Sequence, residues 1–204
     1  MKVGMIFECG PEGADKKVCE YLAMHIVPET SLSSRTLDNK ENLLRDAGKV
    51  AAQLLKDGCA CVLIIWDLRP AWPDRKHKPC RHAEREALLQ ALAQAGVKQN
   101  DPVYLICIEQ ELESWLLACH KAINSLLSTD AHKYSTQRVR KPDKVMQPKA
   151  KLIEHFKSAR NWTYDDKIDA LRVLHVTDVD LKSLRRSASF SRFEQKLGQC
   201  CDGA

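Results

Sequence analysis

No stretch of about 18 apolar residues, the length that reads as a membrane-spanning helix, occurs in this sequence. Met1-Lys2-Val3-Gly4 leads straight into a strand pattern and lacks the apolar core of a secretory signal, so a cytoplasmic setting without a membrane is expected. Internal repeats and low-complexity tracts are missing too, which excludes solenoids and biased linkers. The loop carrying Gly10 and Gly13 has neither the Gly-Lys-Ser/Thr ending of a P-loop nor the GxGxxG spacing of a dinucleotide site. Its glycines are expected to let backbone approach a phosphate or a metal. Seven scattered histidines offer no partner for a Ser/His/Asp or Cys/His set. Nine cysteines are many, but the number is odd and most lie in apolar runs, so free thiols are expected in place of a disulfide framework. Cys59, Cys61, Cys80 and His82 resemble a zinc set, yet Cys59 and Cys61 are too close within a strand for paired ligands.

What is present is an alternation of strands and helices in a chain of 204 residues, long enough to bury a core unaided. Apolar runs predict strands over 2–8, 59–67 and 103–108, with an ambiguous strand within 26–32. Helices are predicted from Ala14 or Asp15, with Asp15 as N-cap, and over 41–57, 82–95 and 110–127, Gly58 and Gly96 ending the second and third. The order β-α-β-α-β-α-β-α implies right-handed crossovers and an α/β fold with a mostly parallel sheet flanked by helices. After Ser128 the texture turns polar and basic, with helical pieces near 149–159, 165–174 and 180–197. The expected division is a core over 1–128 and a helical, basic C-terminal extension over 129–204 packed on it.

The net charge of +5 is uneven, because residues 133–160 carry nine basic and two acidic side chains. Such a segment is the footprint expected where phosphates are touched, and Arg138, Arg140, Lys141, Lys144 and Lys149 are its candidate contacts. Arg185, Arg186 and Arg192 lie farther on, in a run of arginines, hydroxyls and aromatics that suits phosphate oxygens. Phe190 and Phe193, three apart, are expected to pin that run to the core, and Asp178 and Asp180 to cap a helix.

Two apolar runs end on acids, at Glu8 and at Asp67. Chemistry in parallel sheets gathers at the carboxyl ends of strands, so adjacency of the first and third strands would bring both acids to one rim. Like charges that close need a cation, and Mg²⁺ or Mn²⁺ with waters and phosphate oxygens suits the pair. Glu109, Glu111 and Glu113 follow the last strand, and Glu109 or Glu113 is expected to complete the set. A metal-activated water would then attack phosphorus in line while Arg69 stabilises the transition-state charge.

These residues resemble the TOPRIM pattern, a glutamate and glycine after the first strand and an Asp-x-Asp after the third, aligned here with Glu8, Gly10 and Asp67. More closely, the chain resembles a TOPRIM-related family called domain of unknown function 4276. The resemblance is carried by Glu111-Leu112-Glu113-Ser114-Trp115-Leu116-Leu117-Ala118, by Tyr164-Asp165-Asp166-Lys167 and by Ser187-Ala188-Ser189-Phe190-Ser191-Arg192-Phe193. It implies a TOPRIM-like, Rossmann-like core and a metal-dependent phosphodiester-cleaving or strand-passing chemistry on DNA or RNA, with the glutamate as metal ligand or general acid/base and the aspartates holding Mg²⁺. It also implies an ATPase partner of the structural-maintenance or overcoming-lysogenization kind in defence against phage, with a homodimer left open. Arg69 stands where the second aspartate is expected and Cys9 separates Glu8 from Gly10. Asp74, Glu84 and Glu109 are candidate substitutes, and a catalytically inactive nucleic-acid-binding or regulatory subunit is the alternative.

Overall fold

The computed structural model describes residues 1–69 and 78–202, with side chains described as far as Cys200. Four strands, β1 (Lys2–Phe7), β2 (Ser31–Thr36), β3 (Cys61–Asp67) and β4 (Val103–Ile108), form one sheet of order β2-β1-β3-β4. Every pairing is parallel, and β1 lies beside β3 with Phe7 opposite Ile65. The expected α/β, Rossmann-like architecture is therefore present.

The helices are α1 (Ala14–Ile26), α2 (Lys40–Lys56), α3 (Arg81–Gln94), α4 (Glu113–Ala118), α5 (His120–Leu127), α6 (Pro148–Arg160), α7 (Asp166–His175), α8 (Leu181–Leu184) and α9 (Ala188–Asp202). Alternation along β3 divides its side chains between two cores, as a sheet covered on both faces requires. Cys61, Leu63 and Ile65 enter one core with α1 and the helices after β4, whereas Val62, Ile64 and Trp66 enter the other with α2 and α3. Asn39 caps α2 by accepting from Asn42 N at 2.9 Å, and Gly58 ends the segment at φ +83°. Midway, Gly48 lets α2 approach α3 closely, since a β-carbon there would lie 2.0 Å from Ala91 O.

Leu152, Phe156, Val173, Phe190 and Phe193, all after residue 128, are fully buried in the first core beside Val3 and Met5 of β1. The C-terminal helices complete one face of the sheet instead of closing a core of their own. Phe190 and Phe193 pack on Trp115 at ring distances of 5.4 and 5.5 Å, as their spacing predicts. Among the described residues no helix is long and apolar enough to cross a membrane.

Several expectations are corrected. The second strand lies later, at Ser31–Thr36, because α1 continues to Ile26; this edge strand is largely polar and gives no apolar run. Gly13, not Asp15, precedes α1, which leaves Asp15 in the first helical turn. The helix predicted over 110–127 breaks at Cys119 (φ −87°, ψ 49°) into α4 and α5, and the last predicted helix divides into α8 and α9. The cysteines are not all thiols. Cys61 and Cys200 form a disulfide with Cα atoms 5.6 Å apart, while Cys9, Cys19, Cys59, Cys80, Cys107 and Cys119 are free.

Candidate active site

Because β1 and β3 are neighbours, the residues that follow their paired tips converge at one carboxyl rim. Glu8 Oε1 accepts from the backbone N–H of Asp67 at 3.3 Å, and Asp67 Oδ2 accepts from Leu112 N at 3.1 Å. The other two carboxylate oxygens, Glu8 Oε2 and Asp67 Oδ1, are buried without a hydrogen-bond partner among the described residues. Such an orphaned group costs roughly 1–3 kcal/mol, more if charged.

A cavity of about 410 Å³ opens over this pair. Seven carboxylates line it, Glu8, Asp15, Asp38, Asp67, Glu111, Glu113 and Asp166, against three lysines, Lys40, Lys149 and Lys167. Each element delivers its acid for a local reason. The loop after β1 turns tightly because Gly13 N donates to Gly10 O at 2.9 Å, and a β-carbon on Gly13 would collide with Cys9. The first turn of α1 then carries Asp15 back to the rim. After β4, the chain passes Leu112 and begins α4 at Glu113, whose Oε1 accepts from the Tyr164 hydroxyl at 3.3 Å. From the opposite wall, Lys149 on α6 pairs with Asp166 on α7 at 2.7 Å, and its N–H donates to Glu111 at 3.2 Å.

Burial and mutual repulsion raise four of these acids, Glu8, Asp15, Asp67 and Glu113, towards their protonated forms. Burial raises Glu8 to about 8, opposed by the charge of Lys40 and reinforced by Asp15. Asp67 is pushed well above the ordinary carboxylate range by burial, then by Asp15, Glu8 and Glu113. Asp15 rises to about 6 through burial and Asp166, and Glu113 to about 7, chiefly through burial. A low-dielectric cluster of acids has two remedies, to take up protons or to hold a cation.

The donor set suits a hard divalent ion, being oxygen only, with two unpartnered oxygens at its centre. Among the described residues, however, no three His, Cys, Asp or Glu side chains are gathered closely enough to form a metal site as they stand. The zinc set is absent on the same ground, and Cys61 is in any case bonded to Cys200.

Of the expected ligands, Glu8, Asp67 and Glu113 line the cavity, whereas Glu109 does not. It sits just beyond β4 and outside α4, where Arg81 (3.3 Å) and Arg192 (3.2 Å) neutralise it. Glu109 thus stands apart from the three acids that the cavity brings together. Glu84 is no substitute either, since it accepts from Trp66 Nε1 at 2.9 Å and lies 3.5 Å from Lys40 Nζ under the other face of the sheet. Asp74 lies outside the described residues. Arg69 is exposed and faces a neighbouring cavity, with its N–H donating to Gln110 O at 3.0 Å.

The expected phosphate contacts divide. Arg138, Arg140, Lys141 and Lys144 are exposed, and Lys149 is a half-buried member of the acidic cavity. The C-terminal arginines have partners within the chain, Arg185 at the surface and Arg186 and Arg192 half-buried. Arg185 makes paired bonds to Glu194 at 2.8 and 2.7 Å, Arg186 donates to Ala118 O and Ser183 O, and Arg192 donates to Cys107 O and Glu109. The serines beside them are structural. Asp143 accepts from Ser187 Oγ (2.7 Å), Ser189 Oγ (2.9 Å) and Ser189 N (3.1 Å), and Ser189 accepts from Trp115 Nε1 (2.8 Å). Asp180 caps α8 through Ser183 N at 2.9 Å, as expected.

The residues that sequence reasoning missed are Asp15, Asp38, Lys40 and Asp166. Asp15 was legible as a first-turn acid, because in a βαβ unit the start of the helix returns to the strand's carboxyl end. Asp166 stands in the Tyr164–Lys167 motif, but nothing local joins it to the rim.

A family model described as Domain of unknown function (DUF4276) matches residues 14–198, and the chain belongs to that family. No curated protein and no solved structure matches it.

Proposed function

We propose that this DUF4276 protein hydrolyses phosphodiester bonds of DNA or RNA with Mg²⁺ or Mn²⁺ held at the carboxyl rim of its sheet. The observation that carries the reading is the pair of buried, unpartnered oxygens, Glu8 Oε2 and Asp67 Oδ1, among carboxylates that repel one another. Mg²⁺ commonly takes one or two carboxylates and completes its shell with water and phosphate oxygens, so a ready three-carboxylate group is not required. A divalent ion bound there supplies Lewis-acid polarisation of a phosphoryl oxygen and a water made acidic near neutrality. Glu8 and Asp67 would hold it through their unpartnered oxygens.

The remaining roles fall to side chains of the same cavity. Lys149 and Lys167 offer positive charge to the non-bridging phosphate oxygens, and exposed Arg69, which lines the adjoining cavity, would reach across to stabilise charge that grows as water adds to phosphorus. Asp15 takes the proton of the attacking water, and Glu113 returns one to the sugar oxygen as its bond to phosphorus breaks. Exposed Arg138, Arg140, Lys141 and Lys144 provide a track for flanking phosphates. A cytoplasmic setting, an ATPase partner, a homodimer and a role in phage defence belong to the same proposal and draw on the resemblance of the motifs.

The test is incubation of the purified protein with labelled DNA and RNA, with Mg²⁺, Mn²⁺ or chelator. Cleavage that needs metal and disappears in Glu8→Gln and Asp67→Asn is the expected result; cleavage that survives both substitutions rejects the assignment. A second reading, a nucleic-acid-binding or regulatory subunit without cleavage, is favoured by Arg69 at the place of a second carboxylate. Calorimetric titration separates the two, since the regulatory reading expects no saturable Mg²⁺ or Mn²⁺ site.

A further inference from the structure

A second cavity, of about 510 Å³, adjoins the acidic one and shares Glu111 and Lys149 with it. That volume is within the range of about 300–1,000 Å³ typical of pockets for small organic ligands. Its lining differs in having one carboxylate, Glu111, where the first has seven. Met146 and Ile153, 61% and 40% exposed, and Ala150 present apolar surface, while Arg69 stands at the same wall. Gln110 adds an amide whose Oε1 is buried without a partner among the described residues. An amide in that position offers either an acceptor or, turned over, two donors.

The backbone at this cavity is also strained. Gln147 lies in the left-handed region at φ +53°, directly before Pro148. A residue before proline is pushed towards extended conformations, so this geometry is held against local preference. Strain of this kind collects where a ligand is clamped.

We propose that this second cavity receives the base and sugar of an unpaired nucleotide whose phosphate reaches the acidic cavity past Lys149. The inference rests on the phosphodiester reading and deepens it by naming the substrate class, single-stranded or locally unpaired nucleic acid. A nucleotide couples a flat, largely apolar ring with edge donors and acceptors to a charged phosphate, and the two adjoining cavities divide the same chemistry between them. Met146 and Ile153 pack on the ring, and Gln110 pairs with its edge. Lys149 bridges the two chambers. A base stacked in a duplex cannot enter without leaving its stack.

Binding of a short, labelled single-stranded oligonucleotide, read by fluorescence anisotropy in chelator, tests the chamber without chemistry. Ile153→Glu and Met146→Glu place charge on already exposed side chains, so the fold should tolerate them; Met24→Glu, on an exposed side chain of α1, is the control. Expected is a Kd about tenfold or more higher in the two cavity variants, on the scale of losing one base contact, and unchanged in the control. A duplex of the same sequence should bind more weakly than the single strand, and an oligonucleotide of abasic residues should bind wild type and Ile153→Glu alike. Equal affinity of wild type and the cavity variants for the intact single strand, or duplex bound as tightly as single strand, overturns the proposal whether or not the protein cleaves. Conversely, loss of binding confined to the cavity variants supports it even if no metal-dependent cleavage is found, an outcome that would overturn only the hydrolytic reading.

Discussion

Two buried aspartates, Asp143 and Asp67, are treated in opposite ways. Asp143 accepts three hydrogen bonds from Ser187 and Ser189, and the second serine is itself held by Trp115. Asp67 accepts one, from Leu112, and leaves Oδ1 with no partner. A carboxylate whose lone pairs are met by donors is part of the framework, because removing it strands those donors. A carboxylate left unmet beside three other acids destabilises the empty fold and gains from an incoming cation. The difference separates an acid whose hydrogen bonds build the framework from one that the framework leaves unsatisfied.

Substitution at each place should separate the two. The largest effect is expected on turnover: Glu8→Gln or Asp67→Asn should lower metal-dependent cleavage by on the order of a thousandfold, about 4 kcal/mol of barrier, in a single-turnover assay. Asp143→Ala should do the converse, costing about 3 kcal/mol in urea denaturation and leaving Mg²⁺ affinity per folded molecule unchanged in calorimetry. A loss of metal affinity in the folded fraction of that variant would erase the contrast.

Acidity sharpens it further. Glu8 is raised from 4.5 to about 8, so its contribution to stability is full below about 4.5 and is lost as pH rises through about 8. Glu113 behaves likewise between 4.5 and about 7. Metal-free protein should therefore lose several kcal/mol of stability between about pH 5 and about pH 8, a slope that Glu8→Gln flattens and saturating Mg²⁺ abolishes. A metal-free protein equally stable at both ends of that range would refute the buried-acid account. The smallest effect is expected at Glu109, whose partners Arg81 and Arg192 are partly exposed; Glu109→Gln should cost less than about 1 kcal/mol and leave metal affinity intact.

The sheet was legible because its central strands are apolar on both faces, and that pattern alone brought Glu8 beside Asp67. The polar β2 escaped, since an edge strand with four hydroxyl side chains among its six residues carries no apolar run. Choosing between Glu109 and Glu113 depended on where α4 begins, and a shift of a few residues there turns a side chain away from the rim. The arginines of the C-terminal run read as phosphate ligands because their charges show in the sequence while their partners, Glu194, Ala118 O and Cys107 O, do not. Neither Asp166 nor the Cys61–Cys200 pair could be joined to distant strands by local pattern, since each contact spans far more chain than any periodicity covers; the disulfide closes 139 residues.

That disulfide fastens the last helix to the first residue of β3, whereas Asp67 is the last. Six residues of extended chain, about 20 Å, separate the rivet from the carboxylate. The strand is clamped at its foot and free at its tip. A pull on the C-terminal tail would load the floor of the sheet before the carboxylate end felt it, so tags or fusion partners attached there should be mechanically silent at the rim.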